Sequence, residues 1–215
     1  MTDRLTKIFE KIPECQTFAD IGCDHGYIAK AMIKSGKANK VIISDISAKC
    51  LLKAEELLAE EIAKGSAVSV VSNGFEKVGV HDVALIAGMG GEEICSIIES
   101  AKFLPKTLVL QPMKNCDKVR LCAVKAGYKV VYDQIFYSAS KFYDLIVLTV
   151  GKDSLTQEEI EFGRTNIKEM PKDFREMISR NLKKLQGYLT NPNLDDTAKQ
   201  NLSEKVEKLK KYVKI

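Results

Sequence analysis

The stretch Thr17-Phe18-Ala19-Asp20-Ile21-Gly22-Cys23-Asp24-His25-Gly26-Tyr27-Ile28 constrains this chain more than any other. An apolar-leaning run ends at an acid, glycines at 22 and 26 open a turn, and an alanine-rich helical pattern follows through Ile28, Ala29, Ala31 and Met32. That order predicts a strand, a tight turn and a helix. Glycine takes positive φ and lets a ligand approach the backbone, and a helix start offers unpaired N–H groups. A dinucleotide-binding turn reads G-x-G-x-x-G and seats a pyrophosphate on the helix N-terminus. This turn reads D-x-G-x-D-x-G, with Asp20 and Asp24 where the phosphates would come. Two carboxylates repel a pyrophosphate and suit a ligand with cationic groups, such as the ammonium and sulfonium of S-adenosylmethionine.

Around this motif the chain alternates strand and helix signals. Leu5, Ile8, Phe9 and Ile12 have helical spacing and stop at Pro13. This first helix reads as a lid packed on the sheet edge; Asp3 and Arg4 stand where a charged segment would cover the donor site. After a helix over 27–34, Lys40 to Asp45 is a β-branched strand ending in an acid. Asp45 lies 25 residues beyond Asp20, near the interval at which a second-strand carboxylate reaches ribose hydroxyls. Capping of the helix expected over 48–63, by Asp45 or Ser47, is the competing reading. A third strand over 67–72 ends at Asn73-Gly74, itself a turn signal. The fourth, over 82–87, is nearly all apolar, as in a strand covered on both faces, and meets Gly88-Met89-Gly90-Gly91. A tight turn before a helix explains one or two of those glycines; backbone approach to a flat ligand explains three. The fifth strand, over 107–111, ends at Gln111-Pro112, and Gln111 can donate and accept at a base edge. A helix closes at 122–127, and strands over 128–137 and 142–150 form a hairpin.

Composition limits the partners. With 215 residues, 45% hydrophobic and 29% charged, a packed α/β domain with an accessory element is expected. No run approaches a membrane span and the start lacks a signal-peptide core, so a cytoplasmic location and no membrane partner are expected. Six cysteines without a C-x-x-C pair, and two histidines, give no zinc or other metal spacing. The net charge of +4 permits an RNA partner without requiring one.

Asp20-x-Gly22-x-x-x-Gly26 is similar to the first motif of class I S-adenosylmethionine-dependent methyltransferases. Read with Ala87-Gly88-Met89-Gly90-Gly91, Leu110-Gln111-Pro112 and the helical tail, the whole chain resembles the bacterial tRNA adenine-22 N1-methyltransferase family, departing from its usual pattern at Cys23 and Met113. The resemblance implies a Rossmann-like sheet of seven strands with an antiparallel last strand, and a C-terminal helical coiled-coil hairpin. It divides the chain into a catalytic, donor-binding domain at 1–151 and a tRNA-binding arm at 152–215. The implied cofactor is S-adenosylmethionine, held by Asp20, Gly22, Asp24, His25, Tyr27, Asp45, Ile46, Asn73, Gly74 and Gly88, with Asn73 near its adenine. The target base is expected at Gly88, Met89, Gly90, Gln111 and Pro112. Adenine N1 carries its own lone pair, so alignment rather than deprotonation is needed, and because N1 lies on the pairing edge the base must leave its helix.

Beyond residue 152 strand signals vanish. Helices are expected over 156–169 and 172–189, divided by Pro171, and a last one begins at Asp195-Asp196. Ile178, Leu182, Leu185 and Leu189, and Leu202, Val206, Leu209 and Val213, form two apolar stripes at coiled-coil spacing. The segment holds 14 basic and 11 acidic residues, with clusters at Arg175, Arg180, Lys183 and Lys184 and at Lys205, Lys208, Lys210, Lys211 and Lys214. These are either solvated helix faces or phosphate contacts for tRNA. A methyltransferase acting on another RNA or a small molecule is the alternative; a small-molecule methyltransferase or a nucleotide-dependent reductase would have no use for a basic arm, and a non-catalytic RNA-binding adaptor would tolerate loss of the donor pocket. The protein is expected as a monomer or weak homo-oligomer.

Overall fold

The computed structural model describes residues 1–213; Lys214 lies outside them. The first half of the chain runs α1 (Asp3–Lys11), β1 (Cys15–Ile21), α2 (Tyr27–Lys34), β2 (Ala38–Asp45), α3 (Ala48–Leu57), α4 (Ala59–Ala63), β3 (Ala67–Val71) and β4 (Val83–Met89). It continues through α5 (Gly91–Glu99), β5 (Thr107–Pro112), α6 (Cys116–Lys125), β6 (Tyr128–Ser138) and β7 (Lys141–Val150). Four helices follow: α7 (Gln157–Phe162), α8 (Arg164–Glu169), α9 (Lys172–Leu189) and α10 (Asp196–Lys210).

The seven strands form one sheet in the order β3-β2-β1-β4-β5-β7-β6. β1 to β5 pair in parallel, and β7 inserts antiparallel between β5 and β6. The side-chain period of two sends alternate strand residues to opposite faces. Phe18, Leu85 and Val109 pack with Ile8, Met32 and Leu51 on one face; Ala19, Ile86 and Leu108 pack with Ile94 and Val119 on the other. Strand order reverses between β1 and β4, so the crevice beyond their carboxyl ends is where a ligand is seated in such a sheet.

Several boundaries differ from the sequence expectation. The helix expected over 48–63 breaks at buried Leu58, which leaves helical geometry at φ −102° and ψ 17°; nothing in the local sequence announces it. The helix over 156–169 breaks at Gly163, at φ +85°, where a Cβ would lie 2.8 Å from the Asp133 carboxylate. The glycine-rich turn after β4 is largely strand: Gly88 and Met89 end β4, with a register shift between Ala87 and Met89. Gly91 opens α5, and a Cβ there would meet the carbonyls of Lys114 and Asn115 at 2.6 and 2.5 Å. Packing therefore requires this glycine. In the last stripe Tyr212 is buried and Val213 exposed, because α10 ends at Lys210 and the following turn re-aims the chain.

The C-terminal helices are fastened to the outer edge of β6. An edge strand presents unpaired N–H groups, and here side chains accept from them: Asp153 from Val130 (3.0 Å), Thr165 from Asp133 (3.1 Å), Asn166 from Ile135 (3.0 Å) and Asp173 from Tyr137 (2.8 Å). Behind this edge the fully buried Arg120 of α6 donates two bonds to Asp133, at 2.7 and 2.8 Å, one to Asp144 at 2.9 Å, and one to the Ile160 carbonyl at 3.0 Å. Phe162, Phe174, Ile178, Leu182, Val206, Leu209 and Tyr212 then bury one another over Ile135. Replacing Arg120 with Met strands the Asp133 charge, and the expected cost is about 3–5 kcal/mol in urea unfolding. Arg120→Met with Asp133→Leu should regain much of that, and a double variant no more stable than the single one would overturn the charge-pairing account.

Candidate active site

A cavity of about 1070 Å3 opens beyond the carboxyl ends of β1, β2 and β4, at the crevice where strand order reverses. Its first wall is the turn after β1. The N–H groups of Gly22 and Cys23 donate to the Ser44 carbonyl at 2.7 and 3.1 Å, and that of Gly26 to the Cys23 carbonyl at 2.9 Å. Gly26 is at φ +68°, and a Cβ on it would press Leu58 and Ala54 at 2.9 and 3.0 Å, so α3 rests directly on the turn. Gly22 is at φ +71° beneath the Met89 side chain, whose Cε occupies the space a Cβ would need.

The acids divide the work. Asp24, at φ +46°, is exposed; it meets His25 Nδ1 at 2.7 Å and Lys53 Nζ at 3.6 Å, and the His25 ring stacks on Tyr27 at 5.4 Å. Asp20 is buried. Burial pushes its carboxyl up to about 7, opposed by a hydrogen bond from the Ala29 N–H and reinforced by the charge of Asp45. Burial first, and then the charges of Asp20 and Asp45, hold the Cys23 thiol far above its ordinary range, so it stays protonated. Asp45 accepts from the Ser47 N–H at 2.9 Å, while Ser47 is the residue that caps α3, accepting from Cys50 at 3.3 Å. The capping role thus falls to Ser47, and Asp45 supports it while lining the cavity. Asn73 and Gly74 line it too, in a turn where Gly74, at φ +54°, leaves no room for a Cβ against Ile97.

Of the site residues expected from sequence, Asp20, Gly22, Asp24, His25, Tyr27, Asp45, Ile46, Asn73, Gly74, Gly88 and Met89 share this cavity. Gly90, Gln111 and Pro112 are not on its wall. Gln111, expected at a base edge, is fully buried: its amide nitrogen donates to the Pro112 carbonyl at 2.9 Å, and its oxygen accepts from Arg4 at 2.6 Å. Arg4 and Asp3 do line the cavity, as α1 folds across its mouth. Ser138, Ala139 and Tyr143, around the tip of the β6–β7 hairpin, complete the wall. Sequence reasoning passed over them; the hairpin was legible, its approach to β4 was not.

The chemistry on offer is that of a desolvated acid beside a second carboxylate, in a pocket with glycine-shaped walls. That donor set fits a cation with hydroxyl groups and has no use for an anion at Asp20. Among the described residues no cluster of three or more His, Cys, Asp or Glu side chains could hold a metal ion, and no helix is long and apolar enough to cross a membrane.

A family model described as a methyltransferase domain matches residues 1–146. The chain is similar to the tRNA (adenine(22)-N(1))-methyltransferase of Bacillus subtilis, 31% identical over 157 residues. That match covers 70% of this chain and 66% of the relative, just under two-thirds of its length. Among solved structures, a Streptococcus pneumoniae protein superposes with a TM-score of 0.90 at 24% identity, covering 99% of both chains. M. capricolum TrmK, solved with S-adenosyl-homocysteine, gives 0.85 at 23%, covering 100% of this chain and 98% of that one. Both likenesses concern the fold, including the C-terminal helices.

The Asp20 carboxyl sets a pH dependence. Its folded value of about 7 stands above the ordinary 3.8, so the folded state holds an extra proton between them. The associated stability is fully present below about 3.8 and is lost as pH rises through about 7. Asp20→Asn lacks this loss. Its melting temperature should therefore gain on that of the parent chain as pH rises from 4 to 7, by at most about 4 kcal/mol in stability. Parallel melting curves across that range would show that Asp20 is ionised in the folded protein throughout.

Proposed function

The chain belongs to the methyltransferase-domain family, and on that premise we propose that it transfers a methyl group from S-adenosylmethionine to N1 of adenine 22 in tRNA. The observation that carries the donor is the buried Asp20 carboxyl on a cavity wall shaped by Gly22 and Gly26, with Asp45 beside it. The acceptor rests on the similarity to the Bacillus subtilis enzyme of that name. S-adenosylmethionine supplies a methyl group on a sulfonium centre.

The chain's own residues bind and orient. Asp20 offers a carboxylate to an ammonium group, and the gain in that pairing offsets its desolvation. Asp45, with one oxygen on the Ser47 N–H, keeps acceptor capacity for ribose hydroxyls. Asn73 presents an amide to the adenine edge of the donor, and the exposed Ile46 and Tyr27 at the rim are available to cover it. On the other side, Gly88 and Met89 at the end of β4 and Tyr143 on β7 border the space left for a target base. An adenine N1 has no proton to lose, so no side chain here need act as a base; holding the ring in line is the main contribution of the site. His25 and Asp24, paired with each other at the exposed rim, fit that role of orientation.

Transfer of labelled methyl to a tRNA pool, followed by nucleoside analysis, is expected to give 1-methyladenosine, lost in Asp45→Ala at low donor concentration. Label in a small-molecule fraction alone, or no heat on mixing with S-adenosylmethionine, would sink the reading.

The helical tail is the proposed tRNA arm, and its lysines are not equivalent. On α10, Lys208 pairs with Glu161 and Lys210 with Glu207, and just past its end Lys211 pairs with Glu158. On α9, neither Lys183 nor Lys184 has a carboxylate partner among the described residues, and Lys184 stands 5.7 Å over the Tyr188 ring. A lysine already paired releases fewer counterions on meeting a phosphate. Neutralising Lys183 and Lys184 to Gln should therefore flatten the log–log salt dependence of tRNA binding by up to about two units, and neutralising Lys208 and Lys211 by clearly less. A salt slope unchanged from the parent chain in the Lys183 and Lys184 double variant would remove α9 from the interface.

A further inference from the structure

We infer that Arg4 forms an anion subsite on the wall of the cavity, taking a carboxylate or phosphate group of a bound ligand; this rests on the methyl-transfer reading above. Arg4 is half-buried in the first turn of α1 and lines the cavity. Among the described residues its guanidinium makes one hydrogen bond, from Nη1 to Gln111 Oε1 at 2.6 Å, and it stands 5.8 Å over the Tyr143 ring. No carboxylate pairs with it among the described residues. The adjacent Asp3 lies instead 3.7 Å from Lys7. A guanidinium has five donors and cannot shed its proton, so one bond to a neutral amide leaves most of its capacity and all of its charge without a partner.

Its position is fixed from behind. Gln111 is fully buried, and its NH2 faces the Pro112 carbonyl, which can only accept, so its oxygen is committed to Arg4. The amide polarity follows from that pairing and not from the placement of one atom. Gly88 lies beside it: a Cβ there would come 3.7 Å from Nη1. The cavity wall therefore carries both signs of charge, with the carboxylates of Asp3, Asp20, Asp24, Asp45 and Glu93 and a braced guanidinium beside Gly88 at the end of β4. A planar fork of donors matches a carboxylate or a phosphate with two parallel bonds.

Two sources carry such a group in this reaction: the amino-acid end of the donor and the backbone of the acceptor. Calorimetry on the parent chain and Arg4→Gln, with S-adenosylhomocysteine and with 5′-deoxy-5′-methylthioadenosine, which lacks the amino-acid end, separates them when combined with KM for tRNA. If the donor carboxylate is the ligand, Arg4→Gln should weaken S-adenosylhomocysteine by roughly ten- to a hundredfold, the scale of a charged hydrogen bond, and leave methylthioadenosine unchanged. If a phosphate is the ligand, both nucleosides should bind as before while KM for tRNA rises about tenfold with a flatter salt dependence. Arg4→Lys should recover part of either loss. Equal weakening of both nucleosides, or no change in any of the three quantities, would overturn the subsite and leave the methyl-transfer reading standing. Failure of the parent chain to bind S-adenosylhomocysteine would overturn both.

Discussion

The fully buried guanidinium of Arg120 is the interaction on which the arrangement of the C-terminal third depends. It reaches from α6 to Asp133 on β6, Asp144 on β7 and the last carbonyls of α7. Burying such a charge is costly, and its attraction to two acids does little more than offset that cost. What the network contributes is geometry: one spacing of helix, hairpin and tail satisfies every donor. Gly163 shows how close that spacing is, since any side chain there would strike the Asp133 carboxylate. With the tail held in place, Thr165, Asn166 and Asp173 meet the free N–H groups of β6, and the sheet edge is closed without another strand.

The cavity follows a different logic, in which polar groups are left short of partners. Asp20 is desolvated, Asp45 uses one bond to hold the α3 entry, and Arg4 has, among the described residues, a neutral amide as its one hydrogen-bond partner. Each would be poor design in a core, where buried polar groups are satisfied. Together they describe a pocket complementary to something with charges of both signs. The two apolar clusters meet the cavity at Ile21, Ile28, Leu85 and Ile97, so its polar groups stand directly on the core.

How much of this was legible in the sequence depended on whether the signal was local. The Asp20 to Gly26 turn, the alternating elements and the acid at the end of β2 are short-range patterns, and their physical requirements are written in adjacent residues. Gly91 was visible as a glycine, but its reason is a carbonyl pair contributed by Lys114 and Asn115 from another loop. Gln111 was correctly placed at a strand end yet faces Arg4, some hundred residues away in sequence, rather than the cavity. Arg120 was invisible as a buried charge, because an arginine on a helix reads as solvated until its partners on β6 and β7 are known. The break at Leu58 and the exchange of Tyr212 for Val213 are likewise set by tertiary packing, which overrides propensity and periodicity.

The hairpin tip between β6 and β7 is where the fastened tail and the open cavity meet. Tyr137 donates its N–H to Asp173 at the start of α9, and its carbonyl accepts from Lys7 of α1 at 2.8 Å. Arg180 of α9 lies 4.9 and 5.1 Å over the Tyr137 and Phe142 rings. The next residues, Ser138 and Ala139, are already cavity wall, and Ala139 and Ser140 are held at positive φ, a conformation that non-glycine residues keep only when their surroundings impose it. α1, α9 and the pocket thus share one short, conformationally constrained turn. A macromolecule lying along α9 and a ligand under α1 would both press on that turn, through Tyr137 and Ser138.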